Sequence, residues 1–294
     1  MRAKTWMIGG LVVAAIGLAI VLFSSEKVEN VAETLVVREP QGEWIRSVPG
    51  DSAQVWAVGD ANPPASARVV RQIRGANPDR ILYLGDVYQT GTAADFERWA
   101  KPWGGLVQRM APTPGNHEWG NARVGYNPFW REVTGETPPS FYSFNAGGWE
   151  ILSLNSEQIR WRPARNWLRE QVQPGGNCRI AFWHSPKFSA GKHKKGPRRV
   201  DRFWDALEGR TRFIINGHDH NSQRMHPRDG IVEYIAGAGG RRLYAVNERD
   251  SRLAFSNDTN YTALRLDLTP GRARWRLVAT GGTVLDQGSL SCRA

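Results

Sequence analysis

The sequence predicts an α/β (α+β) chain with two packed β-sheets flanked by helices, and three observations point that way. Five apolar runs rich in β-branched and aromatic residues each end in Gly, Pro or a polar cluster: VWAVGDAN (55–62), ILYLGDVY (81–88), APTPGNHEWG (111–120), IAFWHSP (180–186) and FIINGHDHN (213–221). Such runs read as buried strands that deliver their last residues to loops. Helix-like stretches lie between them, and after Gly230 the pattern turns to strands and turns alone. An alternating first part that closes in β strands suits helices outside two facing sheets.

At the N-terminus, Arg2 and Lys4 precede an uncharged apolar run over residues 6–23, after which Ser24, Ser25 and Glu26 return the chain to water. A run of about 18 apolar residues is long for a signal-peptide core of about 7 to 15 and long enough to span a bilayer. Residues 1–23 are therefore expected to be an uncleaved signal anchor, preceding the domain as a membrane-spanning helix; a cleaved signal peptide is the alternative. The positive residues before the span hold the N-terminus in the cytoplasm, so the domain faces outward and is membrane-anchored, or secreted if the signal is cut. Residues 24–50 are poorly periodic, with Pro40, Gly42, Pro49 and Gly50, and read as a stalk. Residues 51–294 form the folded domain. Within it, helices are expected over 66–74, 94–100, 163–172 and 200–207, and a hairpin pairs 262–268 with 274–279 around Pro270 and Gly271.

Composition agrees with a packed domain. Hydrophobic content of 40% and thirteen Trp supply a sizeable core and exclude disorder for most of the chain. Cys178 opens the strand leading to His184 and Cys292 ends the last strand. In an exported domain these two cysteines are expected to form a disulfide, the other reading being two unpaired thiols.

Four of the six histidines fall in the five strand-to-loop segments, beside Asp60, Asp86 and Asn116. Ligands at the ends of several strands converge on one edge of a sheet, where open α/β sheets place their sites. Carboxylate, imidazole and amide oxygen together suit Zn, Mn or Fe rather than a soft thiolate site. The order GD, GDxxY-like, GNHE, an apolar run ending in His, and GHxH resembles the calcineurin-like metallophosphoesterases, and more closely their purple acid phosphatase branch. The segments DFERW, FYSF, LNSE and FWDAL also resemble bacterial members of that branch.

The resemblance implies a four-layer sandwich of two mixed β-sheets and two metal ions, Fe with Zn, Mn or Fe. It implies Asp86 as the bridge, Asp60 and His220 on the first metal, and Asn116, His184 and His218 on the second. It makes His117 a histidine that is not a ligand but acts on the leaving oxygen, with Glu118 one carboxylate able to orient it. Two metals about 4 Å apart activate a water and neutralise charge developing on a phosphoryl group. The chain departs from the pattern at two places. GDxG reads GDAN, and the ligand Tyr expected three residues after the second Asp stands two after it, as Tyr88. The first metal is left with Tyr88, Asn62 or neither.

The run 187–202 carries seven Lys or Arg against Asp201, a net +6 out of the chain's +11. It follows His184 directly, so Lys192, His193 and Lys194 are expected to overhang the site and hold an anionic phosphorylated substrate. A solvated loop, or one drawn to anionic lipid, is the plainer reading. It lacks interleaved aromatics, so no specific nucleic-acid binding is expected. The expected activity is phosphomonoester hydrolysis of the acid phosphatase type. The alternatives are a phosphodiesterase or pyrophosphatase acting on nucleotides or lipid head groups, and a non-catalytic surface-anchored binding protein with a decayed site.

Overall fold

The computed structural model describes residues 43–158, 161–172, 178–194 and 196–292. The apolar run 6–23 and the stalk up to residue 42 lie outside the described residues, as does Lys195 of the basic run. No helix among the described residues is long and apolar enough to cross a membrane.

One sheet begins with β1 (Ala53–Val58), β2 (Arg80–Tyr83) and β3 (Met110–Pro112), which are parallel, and continues on the other side of β1 with antiparallel β11 (Thr262–Thr269), β12 (Arg272–Ala279) and β13 (Val284–Ser291). The other holds β4 (Phe141–Ala146), β5 (Trp149–Leu154), β6 (Arg179–Phe182), β7 (Phe213–Asn216), β8 (Ser222–Met225), β9 (Val232–Ala236) and β10 (Leu253–Asn257), in the order 10-8-9-7-6-5-4. In it β5, β6, β7 and β9 are parallel while β4, β8 and β10 run against their neighbours, so both sheets are mixed.

Side chains alternate across a strand, and here both faces are apolar. Val55 and Ala57 of β1 and Leu82 of β2 meet Ile180 and Phe182 of β6 and Phe213 and Ile215 of β7 in the core between the sheets. Trp56, Val58, Ile81 and Tyr83 turn the other way. They pack on α1 (Ser66–Ala76), α2 (Ala93–Trp103) and α4 (Tyr126–Thr134) through Val69, Ile73, Phe96, Trp99 and Trp130. Beyond the second sheet, Leu152, Ala181 and Ile214 meet α5 (Trp161–Gln171) and α6 (Arg198–Leu207). Burial on both faces explains why the parallel strands read as unbroken apolar runs. Helices, sheet, sheet and helices make four layers.

The expected helices are found with ends shifted by a few residues. Thr92 and Asp95 cap α2 reciprocally, and Asn77 ends α1 in the left-handed conformation at φ 49°. The GNHE segment differs from its reading as a loop, because Asn116–Trp119 forms one short helical turn, α3. Packing reaches back into the residues read as stalk: Ile45 is buried in the intersheet core, and the Val48 N–H donates to the Asn145 carbonyl at 2.7 Å.

Cys178 and Cys292 are bonded, with Cα atoms 4.9 Å apart. The bond ties the residue before β6 to the residue after β13, joining the two sheets at the edge away from the strand ends that carry His184 and Asp60. Closing a loop across a sequence separation of 114 residues stabilises the fold by about 5 kcal/mol in the chain-entropy account.

Candidate metal centre

The C-terminal ends of β1, β2, β3, β6 and β7 reach one edge of the sandwich. Asp60, Asp86, Asn116, His184 and His218 each follow one of these strands within four residues. The turns are tight. Gly85 has φ 89°, and a Cβ there would lie 2.6 Å from the Gly115 nitrogen and 2.9 Å from His184 Nδ1, so only glycine fits. Asp60, Asp86 and His218 themselves have φ of 58°, 65° and 71°. Non-glycine residues held there cost roughly 1 to 3 kcal/mol each and cluster at functional sites.

The predicted residues meet in two groups that share Asp86. In the first, the Tyr88 hydroxyl lies 2.8 Å from Asp60 Oδ1, 2.9 Å from Asp86 Oδ2 and 2.9 Å from His220 Nε2. In the second, His184 Nε2 lies 3.0 Å from Asn116 Oδ1, 3.1 Å from His218 Nδ1 and 3.3 Å from Asp86 Oδ1. Donor atoms of Asp86, His184 and His218 all fall within 4.8 Å of one another, so these three side chains are placed to hold a metal ion. Asn62 is turned elsewhere, its amide donating to the Pro63 carbonyl at 3.2 Å.

Proton bookkeeping tests whether this donor set fits cations. His184 Nδ1 faces the Leu84 carbonyl at 2.7 Å and His220 Nδ1 faces the Arg242 carbonyl at 2.9 Å. A carbonyl accepts only, so each Nδ1 carries a proton; His220 Nε2 then points a lone pair into the cluster, and His184 Nε2 has at most one proton for Asn116 Oδ1, His218 Nδ1 and Asp86 Oδ1. Tyr88 has one proton for three acceptors. Both groups are therefore rich in acceptors and poor in protons, which is the chemistry of a cation site.

The titration shifts agree. Burial and the neighbouring Asp86 charge raise the Asp60 pKa. Burial and the His184 charge lower that of His218, and burial lowers that of His220 to about 4, keeping both imidazoles neutral. Burial works against a charged His184, yet the Asp86 carboxylate lifts its pKa to about 10. Positive charge is favoured where the two groups meet.

The sequence model of the calcineurin-like phosphoesterase family matches residues 50–222, which contain every candidate ligand from Asp60 to His220. The chain belongs to that family. It is 25% identical over 183 residues to a probable cyclic nucleotide phosphodiesterase of Synechococcus sp., covering 56% of this chain and 66% of the relative. The purple acid phosphatase PPD1 of yellow lupin seeds superposes with a TM-score of 0.66 at 16% identity, over 83% of this chain and 54% of that one. GAP50, the anchor in the inner membrane complex of Plasmodium, gives 0.65 at 12% identity, over 83% and 90%. The chain thus spans less than two thirds of the first two relatives, and the two structures share its fold.

In this family member His117 stands at the rim, its Nε2 3.9 Å from Asp86 Oδ2. Its Nδ1 faces the Gln89 carbonyl at 2.6 Å. The carboxylate proposed to orient it does something else: Glu118, buried, accepts from the N–H groups of Gly115, Asp86 and Val87 at 2.9, 3.0 and 3.1 Å. It clamps the two metal-site turns together, and a backbone carbonyl orients the histidine.

The basic loop does reach the site. The His193 ring lies 4.1 Å from the His218 ring, and Lys192 Nζ lies 4.5 Å over the Tyr244 ring. Lys194 is exposed and offers its carbonyl to Ser189 N–H at 3.2 Å. Two buried carboxylates hold the loop down. Asp219, between the two GHDH histidines, accepts from Ser189 Oγ and from His193 N–H. Glu233 on β9 accepts from Lys187 and Phe188 N–H at 2.7 and 3.0 Å.

Sequence reading missed the 241–244 segment. Arg242 fixes the His220 tautomer, Tyr244 stacks on His220 with centroids 4.1 Å apart, and Arg241 lies over Tyr88. No motif marks these residues, and the nearest signal is the Gly pair before Arg241.

Glu233 yields a pH prediction. Burial pushes its pKa from 4.5 up to about 8. Below the lower value it is protonated folded and unfolded, with no charge buried. Above the upper value it is ionised in both states, and the folded state carries the desolvation cost. Its contribution to stability therefore falls as pH rises from about 4.5 through 8, by roughly 4 kcal/mol. Urea unfolding at pH 5 and pH 8 should show wild type losing stability relative to Glu233→Gln; a difference that is flat or grows in favour of wild type would contradict this.

Proposed function

We propose that the chain is a binuclear metal-dependent phosphoric ester hydrolase of the purple acid phosphatase type, acting on phosphomonoesters. The observation that carries this reading is the Tyr88 hydroxyl, which lies within 2.9 Å of Asp60, Asp86 and His220 despite the shortened spacing. Asp60, Tyr88 and His220 then hold one metal, Asn116, His184 and His218 the other, and Asp86 offers one oxygen to each group. Metals bound there supply an activated water and neutralise charge on the phosphoryl oxygens. Donors of this kind suit Fe with Zn, Mn or Fe.

The other residues act on the substrate. His117, with Nδ1–H given to the Gln89 carbonyl, is oriented so that its Nε2 proton passes to the departing ester oxygen as the P–O bond breaks. Lys192, His193 and Lys194 draw in the phosphorylated anion, and the hydrogen bonds that Asp219 and Glu233 accept hold their loop in place. The chain acts outside the cytoplasm, anchored through residues 6–23 or released after signal cleavage; the disulfide supports an oxidising compartment. No specific nucleic-acid binding is part of this reading.

A phosphodiesterase is the second reading, favoured by the similarity to the Synechococcus relative. Turnover of p-nitrophenyl phosphate against bis-p-nitrophenyl phosphate separates the two. The same preparation tests Tyr88. Iron-loaded wild type should show a visible charge-transfer band that disappears in Tyr88→Phe while the fold persists. A colourless but active iron-loaded protein, or a band unchanged in Tyr88→Phe, would sink the purple acid phosphatase assignment and leave Tyr88 a packing residue.

A further inference from the structure

Arg241 is the one cation that lies directly against Tyr88 among the described residues. Its backbone N–H donates to the Asp60 carbonyl at 3.0 Å, which fixes the chain beside the first group of ligands. The guanidinium carbon sits 4.4 Å from the centre of the Tyr88 ring, and Nη2 donates to Gln89 Oε1 at 2.8 Å. The same Gln89 receives His117 Nδ1 on its carbonyl at 2.6 Å. One residue therefore places the rim histidine and the guanidinium together around Tyr88.

The partners of this arginine set it apart. Arg224, Arg252, Arg265 and Arg276 each bind an aspartate. Arg241 forms no ion pair with a carboxylate among the described residues, and its guanidinium donates to a neutral amide. A guanidinium has five N–H donors in a rigid fork that matches the oxygens of a phosphate. A half-buried guanidinium left with four of them, on the rim of an acceptor-rich cluster, is equipped for an anion that arrives from solution.

We propose that Arg241 binds the phosphoryl group of the substrate and favours the dianionic monoester over the monoanionic diester. The proposal rests on the hydrolase reading above and names the substrate charge that this site prefers. Two parallel N–H···O bonds need two non-bridging oxygens facing the same side, and the monoester places one more charge on them than the diester does.

The test uses the full chain loaded with metal. Inorganic phosphate binding is measured by calorimetry for wild type, Arg241→Gln and Arg241→Lys, with metal content by elemental analysis on each. Arg241→Gln should weaken phosphate binding by about tenfold or more at unchanged metal content, with Arg241→Lys in between. The KM for p-nitrophenyl phosphate should rise more than that for the bis ester, while kcat changes little. Phosphate binding within twofold of wild type at full metal content would overturn the proposal. Metal loss in both variants would also overturn it, because Arg241 would then act only by holding Tyr88. A wild type with no phosphoester turnover would remove the hydrolase reading, while the phosphate comparison would still judge Arg241.

Discussion

Asp86→Ala is expected to lose bound metal and to reduce phosphoester turnover by about three orders of magnitude or more. Asp86 is buried, and its two oxygens face different groups, Oδ1 toward His184 and Oδ2 toward Tyr88. Its Oδ1 also accepts the His117 N–H at 3.1 Å, so removal loosens the α3 turn that carries Asn116. Elemental analysis of the variant beside wild type checks the metal, and an ester assay checks the turnover. A variant that retains both metals would remove Asp86 from the bridging position.

His117→Ala should behave differently. The proposed proton donor approaches the ligand set at Asp86, with Nε2 3.9 Å from Oδ2, and at Tyr88, whose ring centre lies 4.4 Å from its own, while its hydrogen bond goes to the Gln89 carbonyl. Losing a positioned general acid costs about 10²- to 10⁴-fold in turnover, and here the metal content should stay at the wild-type level. The loss should also shrink for an ester whose leaving group is a weak base, because that group departs without a proton. Metal loss matching that of Asp86→Ala would make His117 a ligand, and equal loss across leaving groups would deny it the proton-transfer role.

Much of this arrangement was legible in the chain, because the strands that feed the site are buried on both faces. Runs such as VWAVGD and FIINGH announce both the strand and the residue at its end. The antiparallel strands β8, β10 and β13 mix polar and apolar residues and gave only a general expectation of strands and turns after Gly230. The short α3 escaped notice, since four residues after Gly115 show no helical period.

At the site, residue types and order pointed to each ligand group, but conformation was hidden. Nothing in the letters GD or GH shows that Asp60, Asp86 and His218 adopt left-handed backbone. The spacing of Tyr88 left its side in doubt, and only the folded turn shows its hydroxyl between Asp60, Asp86 and His220. Glu118 looked like a partner for its neighbour His117; burial instead aims it at three backbone N–H groups, which no side-chain pattern records. Arg241, Arg242 and Tyr244 reach the site from a loop more than twenty residues past His218, so only tertiary contact identifies them.

The central claim is that these two acceptor-rich groups hold two metals that the chain uses to hydrolyse phosphate esters. Metal stoichiometry on the purified full chain, measured with p-nitrophenyl phosphate turnover before and after chelation, tests it most directly. Two metals per chain are expected, with turnover lost on chelation and restored when metal is returned. Substoichiometric metal with no turnover, or turnover that survives complete chelation, would contradict it.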